Sequence, residues 1–316
     1  MKKKLAVVAF GGNALLRAGQ KGTIEEQETN VHDTCNNLTA LIEQDYNIVI
    51  GHGNGPQVGN ILLRNIAGHK MFDLPLMPLD ICGAYSQGFI GYIIEQQMRN
   101  VLESKKMKRD ILTLVTQVLV DKHDKAFQNP TKPIGPYYTK EELEALKKEN
   151  PDDVYAEDPK GRGFRKVVAS PNPVEILNKN SIEKLARDGN IVITVGGGGI
   201  PAFYVKPGEM QGIDAVIDKD LASSMLATQI NADEFYVLTD VPKVFINFNK
   251  PNQQALDVIT VADAKKHLDD GQFTEGSMAP KIRAAIQFIE RGGKKCVITE
   301  SKELGKDNVG TQIVAK

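Results

Sequence analysis

The sequence predicts an α/β fold in which a mainly parallel sheet carries helices on both faces. Three observations lead there. Apolar runs alternate with helical periodicities along the chain, and three of those runs (Leu5 to Phe10, Ile48 to Ile50 and Ile191 to Val195) each end in a glycine-rich turn. At 316 residues, with 41% hydrophobic and 25% charged side chains, the chain can bury a large core in one large or two medium domains.

The organising stretch is Ile48-Val49-Ile50-Gly51-His52-Gly53-Asn54-Gly55-Pro56-Gln57-Val58-Gly59, read as strand, glycine turn and helix. Glycines let backbone N–H groups approach a ligand, and the helix that follows points its positive end at the same place. The same design recurs at Gly11-Gly12-Asn13-Ala14 and at Gly196-Gly197-Gly198-Gly199-Ile200-Pro201. Strands of one parallel sheet would bring these loops to one edge, where open α/β sheets bind ligands.

Taken in order, the first strand leads to a helix whose apolar face is Val31, Cys35, Leu38, Leu41 and Ile42. After the central loop, a link from Met71 to Pro78 precedes a long helix with Cys82, Tyr85, Phe89, Ile93 and Gln96 on one face. Gln87, Gly88 and Gly91 allow close packing against it. Ile111 to Val120 reads as one long strand. Residues 121–170 break the pattern: 20 of these 50 are charged, prolines stand at 130, 133, 136, 151 and 159, and Lys140 to Lys148 reads as a short charged helix. Such a segment contributes little core and predicts a protruding lobe or lid. Pro173 to Arg187 reads as a helix starting at proline, Asp218 to Ile230 as a helix, Phe235 to Thr239 as a strand and Val258 to Leu268 as a short helix. Ser277 is expected to cap a helix ended by Gly292-Gly293, and Cys296 to Thr299 and Gln312 to Val314 complete the strands.

Thirty-nine basic against 40 acidic residues leave no basic field for nucleic acid or an anionic membrane. No apolar run approaches a transmembrane span, and the six apolar residues after Lys2-Lys3-Lys4 suit a first strand better than a secretory signal. Cys35, Cys82 and Cys296 are isolated, which argues for a reducing cytoplasm and against a disulfide framework or zinc site.

Neither a Walker A pattern nor G-x-G-x-x-G is present, and D-F-G and H-R-D are absent. Charged residues flank the glycine loops instead. Asp218 reads as an N-cap, but Lys219 beside it sits unfavourably at a positive helix end, as does Lys281 just after Pro280. Bound phosphate would remove that conflict. Lys132 is fixed between two prolines in the charged lobe. His52 is expected to be a satisfied strand-end histidine, and the other histidines lack metal spacing.

The chain resembles a carbamate kinase of the amino acid kinase family over essentially its whole length. The resemblance rests on Phe10-Gly11-Gly12-Asn13-Ala14-Leu15, Gly53-Asn54-Gly55-Pro56-Gln57-Val58-Gly59, Gln87-Gly88-Phe89-Ile90-Gly91-Tyr92 and Asn129-Pro130-Thr131-Lys132-Pro133-Ile134-Gly135. It extends through Gly197-Gly198-Gly199-Ile200-Pro201, Ala215-Val216-Ile217-Asp218-Lys219-Asp220, Leu238-Thr239-Asp240-Val241 and Gly276-Ser277-Met278-Ala279-Pro280-Lys281. The lysine that acetylglutamate kinases carry before the first glycine pair is missing here, as in carbamate kinases. Two departures touch packing: Phe10 stands where leucine is more usual, and Phe164 where tryptophan is common.

The resemblance implies a three-layer sandwich in two lobes, with residues 1–217 binding carbamate and the phosphoryl group, a protruding subdomain at 121–170, and residues 218–316 binding the nucleotide. It implies reversible phosphoryl transfer between ATP and carbamate, usually run toward ATP in arginine (deiminase pathway) catabolism. Lys132, Lys219, Asp220 and Lys281 would be catalytic; Gly11, Gly12, Asn13, Gly53, Asn54, Gly197 and Gly198 would hold carbamate or the phosphoryl group. Lys219, Thr239, Asp240, Ser277, Met278, Pro280 and Lys281 would line the nucleotide pocket, with Mg2+ held mainly by the ATP or ADP phosphates. A homodimer paired through the N-terminal lobes is also implied. Kinases of acetylglutamate or UMP, and a nucleotide sensor without turnover, are the rival readings.

Overall fold

The computed structural model describes residues 3–158 and 161–316; Met1, Lys2, Pro159 and Lys160 lie outside it, so part of the basic start and one proline of the charged segment fall outside the described residues. Strand β1 (Leu5–Phe10), wholly buried, leads through α1 (Ile24–Glu43) to β2 (Asn47–His52), α2 (Gly55–Phe72) and α3 (Leu79–Ser104). Next come β3 (Ile111–Thr113), β4 (Gln117–Val120), β5 (Lys132–Tyr138), α4 (Lys140–Glu149), β6 (Val154–Glu157), β7 (Phe164–Val168) and β8 (Pro173–Ile176). They are followed by α5 (Lys179–Arg187), β9 (Ile191–Ile193), β10 (Ile200–Lys206), β11 (Glu209–Gly212), α6 (Lys219–Gln229) and β12 (Glu234–Leu238). The short β13 (Phe245–Ile246) and β14 (Gln254–Ala255), then β15 (Val258–Thr260), α7 (Val261–Asp269), α8 (Met278–Glu290), β16 (Lys295–Thr299) and β17 (Thr311–Val314) complete the chain.

Eight strands form the central sheet in the order β15-β17-β16-β12-β1-β2-β9-β3. Neighbours are parallel throughout except β16 and β17. Alternation along β1 feeds two cores. Leu5, Val7 and Ala9 pack with apolar residues of α6 and α8 on one face, while Ala6, Val8 and Phe10 pack with those of α1 and α3 on the other. The result is the three-layer α/β architecture expected.

Several local expectations need correction. Of the three glycine turns only the central one runs straight into a helix, α2; Gly11-Gly12 opens a single tight turn with α1 starting at Ile24, and Gly196–Gly199 leads into β10. Ile111 to Val120 is two strands in two sheets, because the backbone N–H of Thr116 turns to Gln87 Oε1 (2.7 Å) and Thr116 Oγ1 lies 2.5 Å from Thr194 Oγ1. Pro173 starts an antiparallel strand against β4 rather than a helix, and the helix begins at Lys179; proline suits the first position of either element. Val258–Thr260 pairs with β17 before Thr260 caps α7. Ser277 occupies the N-cap position of α8, but its side chain makes no capping bond.

Residues 132–168 build a separate antiparallel sheet, β5-β7-β6, with α4 started by the capping box of Thr139 and Glu142. Ile134 and Val168 pack with Val58, Leu79 and Cys82 in a small third core, which joins this sheet to α2 and α3.

Candidate active site

Register brings the glycine loops together. Phe10 stands opposite His52 and Ile50 opposite Ile193, so the chain leaves β1, β2 and β9 at the same sheet edge. The third loop is the most demanding: Gly197, Gly198 and Gly199 all have positive φ (65°, 92° and 87°), and Val195 holds φ 44°, a strained value for a β-branched residue. A Cβ on Gly197 would fall 2.1 Å from Asn54 Nδ2, so only glycine lets the third loop pack this closely against the central one. Asn54 is itself fixed, donating from Nδ2 to Ser86 Oγ at 2.8 Å.

A cavity of about 260 Å3 lies at this edge, lined by Gly12, Gly53, Asn54, Gly197, Lys132, Lys219, Asp220, Ser277, Pro280 and Lys281, with Gln57 and Asp218. The helices α2, α6 and α8 all begin at its wall. Their N–H groups add positive potential to the lysines. Asp220, 3% exposed, bonds Lys219 through one oxygen and Lys281 Nζ through the other at 3.0 Å. Burial works to raise the Asp220 carboxyl, but Lys219 and Lys281 outweigh it and hold it at about 2. Burial lowers the Lys219 ammonium, Asp220 opposes that, and the like charge of Lys281 adds to it. Asp218 caps α6, accepting from the backbone N–H of Asp220 at 2.9 Å and of Leu221 at 3.4 Å. Its other oxygen meets Lys132 Nζ at 3.3 Å, so a lysine from β5 reaches the mouth of α6. Three lysines face two carboxylates here, and the surplus charge suits an anion.

Other expected residues lie elsewhere. Gly11, Asn13, Thr239 and Asp240 line an adjoining polar cavity of about 650 Å3 between the ends of β1 and β12 and helix α1. Gly198 supports the loop from below, since a Cβ there would fall 2.2 Å from the Ile217 carbonyl oxygen. Met278 packs against the core at the foot of α8. His52 is buried at its strand end, 2.9 Å from the Gly53 carbonyl through Nδ1, and burial pushes its pKa down to about 4. Sequence reasoning missed the pairing of Asp218 with Lys132 and gave Gln57 no role. For Gln57 the only signal was its place in the central glycine stretch.

The sequence pattern of the amino acid kinase family matches residues 4–300. A protein from Staphylococcus aureus called carbamate kinase 2 is 50% identical over 313 residues, covering 99% of this chain and 98% of its own. The carbamate kinase of Giardia lamblia, solved bound to AMP-PNP, superposes with a TM-score of 0.93 at 42% identity over 99% of each chain. A solved protein from Aeropyrum pernix K1 also gives 0.93, at 37% identity over 99% of this chain and 100% of that one.

Proposed function

The chain belongs to the amino acid kinase family and, within it, to the carbamate kinases, and from that premise we propose that it moves a phosphoryl group reversibly between ATP and carbamate. The observation that carries the reading is the cluster of Lys132, Lys219 and Lys281 around Asp218 and Asp220, facing the glycine loops in one cavity.

A carbamate oxygen is already anionic, so its attack on the terminal phosphorus of ATP needs no general base. The new P–O bond forms as the bond to ADP breaks, and the protein's task is alignment and charge cancellation. Lys219 and Lys281 neutralise the phosphoryl oxygens. Asp220 holds both ammonium groups in place and keeps Lys219 charged against its burial. Lys132 reaches the same group from β5. Backbone N–H groups of Gly12, Asn54 and Gly197 cradle the carbamate or the phosphoryl oxygens, while Gly53 and Gly198, whose N–H groups are bonded to the carbonyls of Phe10 and Val195, hold the loops in shape; Gly11 and Asn13 border the adjoining cavity with Thr239 and Asp240, and Ser277, Met278 and Pro280 border the nucleotide.

Among the described residues no group of three or more carboxylate, imidazole or thiol side chains is arranged to hold a metal, and both acids of the cavity are engaged with lysines. Mg2+ would therefore enter on the phosphates of ATP or ADP and supply further charge neutralisation there. Residues 1–217 act as the acceptor lobe, bearing the subdomain 121–170, and residues 218–316 as the nucleotide lobe. The enzyme works in the cytoplasm, as three buried free thiols favour, and makes ATP from carbamoyl phosphate in arginine catabolism. Its oligomer is a homodimer.

The test is ATP formation from ADP, Mg2+ and carbamoyl phosphate, with acetyl phosphate and N-acetylglutamyl phosphate as comparators. Selective turnover of carbamoyl phosphate is expected. Selectivity for another acyl phosphate would overturn the substrate, and ADP binding without turnover would make the protein a sensor.

A further inference from the structure

Gln87 on α3 is buried, and it stands behind the third glycine loop rather than on the cavity wall. Its neighbours fix which way its amide points. The backbone N–H of Thr116 can only donate, and it meets Gln87 Oε1 at 2.7 Å. Nε2 is thus the other branch, donating to the carbonyls of Thr116 (3.2 Å) and Gly196 (3.1 Å). The side chain ties the loop to the break between β3 and β4.

The Gly196 carbonyl belongs to the peptide whose N–H is that of Gly197. This peptide is trans, so the two groups point in opposite directions. With its carbonyl turned back to Gln87, and to the Gly199 N–H at 3.0 Å, the peptide turns its N–H away from α3. Gly197 lines the cavity, and among the described residues its N–H has no hydrogen-bond partner. Both flanking residues have to be glycine: a Cβ on Gly196 would fall 2.4 Å from His52 Nε2, and one on Gly197 would fall 2.1 Å from Asn54 Nδ2. Glycine accepts φ of either sign, so a Gly-Gly peptide left to itself can rotate by half a turn and exchange its N–H for its carbonyl oxygen. An oxygen facing the cavity would repel an anion.

We propose that Gln87 is a positioning residue that prevents this rotation, holding the Gly197 N–H toward the cavity as a donor to the oxygens of carbamoyl phosphate. Gln87 touches no substrate; it acts through the peptide it holds, as a preorganised backbone donor requires. The role rests on the carbamate kinase reading.

The experiment measures KM for carbamoyl phosphate and for ADP, with kcat, as ATP formation in the presence of Mg2+, in the native protein, Gln87→Met and Gln87→Glu. Melting temperature checks that each variant is folded. Gln87→Met keeps the length and removes the amide, and Gln87→Glu keeps an acceptor for the Thr116 N–H while removing the donor to Gly196. Each should raise KM for carbamoyl phosphate and lower the corresponding kcat/KM by about 10- to 100-fold. KM for ADP should change by less than about 3-fold. A loss of folded protein alone would lower kcat and leave both KM values as they were. An unchanged KM for carbamoyl phosphate, or equal rises for both substrates, would therefore show Gln87 to be structural and overturn the role. If Gln87→Met does not fold, the two KM values in Gln87→Glu decide in the same way. A native protein that makes no ATP from carbamoyl phosphate defeats the proposed function, and this role with it.

Discussion

Lys219 stands where the backbone alone would reject it, at the positive end of α6 and 16% exposed. That misfit was legible in the sequence, and so was Lys281. Their shared partner Asp220 follows from the fold, because Lys281 is 61 residues away in the chain. Lys132 and Asp218 are 86 apart, and nothing local in either could announce the contact. Lys132 is 37% exposed and among the described residues meets the cluster through Asp218; as proposed, it acts on the transferred group and not on the nucleotide. Lys132→Ala is expected to lower kcat by about 100- to 1,000-fold, with ADP affinity changed by less than about 3-fold. Steady-state kinetics and equilibrium titration of ADP check the pair; unchanged kcat would remove the role. His52 offers a second expectation. The Gly53 carbonyl can only accept, so Nδ1 carries the proton and the buried ring is neutral, with a pKa near 4 against about 6.5 when unfolded. The folded pKa is depressed, so the unfolded chain takes up a proton first. Stability from this group is full above about pH 6.5 and falls as pH drops toward 4, by about 3 kcal/mol in all. Urea midpoints from pH 7 to 4 should show that slope, and His52→Gln should flatten it.

At the level of elements, strand and glycine turn were readable because each glycine loop follows a short buried strand, but the helix expected next follows directly only at α2; Gly11-Gly12 opens a single tight turn well before α1, and Gly196–Gly199 leads into strand β10. Close approaches between elements were only half readable. Gly91 in α3 suggested tight packing by composition, and the structure supplies the partner: a Cβ at this position would fall 2.2 Å from Thr113 Cγ2 on β3. Two effects compete on substitution. Alanine gains about 1 kcal/mol over glycine inside a helix, while overpacking costs about 1–3 kcal/mol. The clash is with a β-branched, half-buried side chain on the edge strand β3, hydrogen-bonded through its hydroxyl to Glu95 at 3.1 Å, so it cannot swing away freely. Gly91→Ala is therefore expected to destabilise by about 1–2 kcal/mol in urea unfolding. In the Thr113→Ala background the same change should become neutral or stabilising, and equal losses in both backgrounds would exclude the contact. The two strands read as one between Ile111 and Val120 failed at this scale too. The break is made by Gln87 and Thr194, both distant in sequence.

For the molecule as a whole, alternation of apolar runs and helices was enough for the sheet's parallel character, but strand order was out of reach because no local signal says which strand lies beside which. That β12 sits next to β1, and so joins the two halves in one sheet, emerges only from the assembled core. Surface patterning, by contrast, was legible without being interpretable. Tyr85 and Phe89 read as sharing one face of α3 with Ile93, which is buried, yet both are exposed, and with Ile81 and Tyr92 they form an apolar stripe along the helix. An exposed apolar stripe along one helix is costly in water, and a second copy of the chain related by a twofold axis would cover stripe with stripe. A homodimer, as proposed, would then form through α3. Sedimentation velocity at micromolar concentration should give twice the 34.7 kDa of one chain, and Tyr85→Asp with Phe89→Asp should return the species to 34.7 kDa. A native protein that sediments as a monomer, or a dimer that survives both aspartates, would rule this interface out and leave the stripe to another partner.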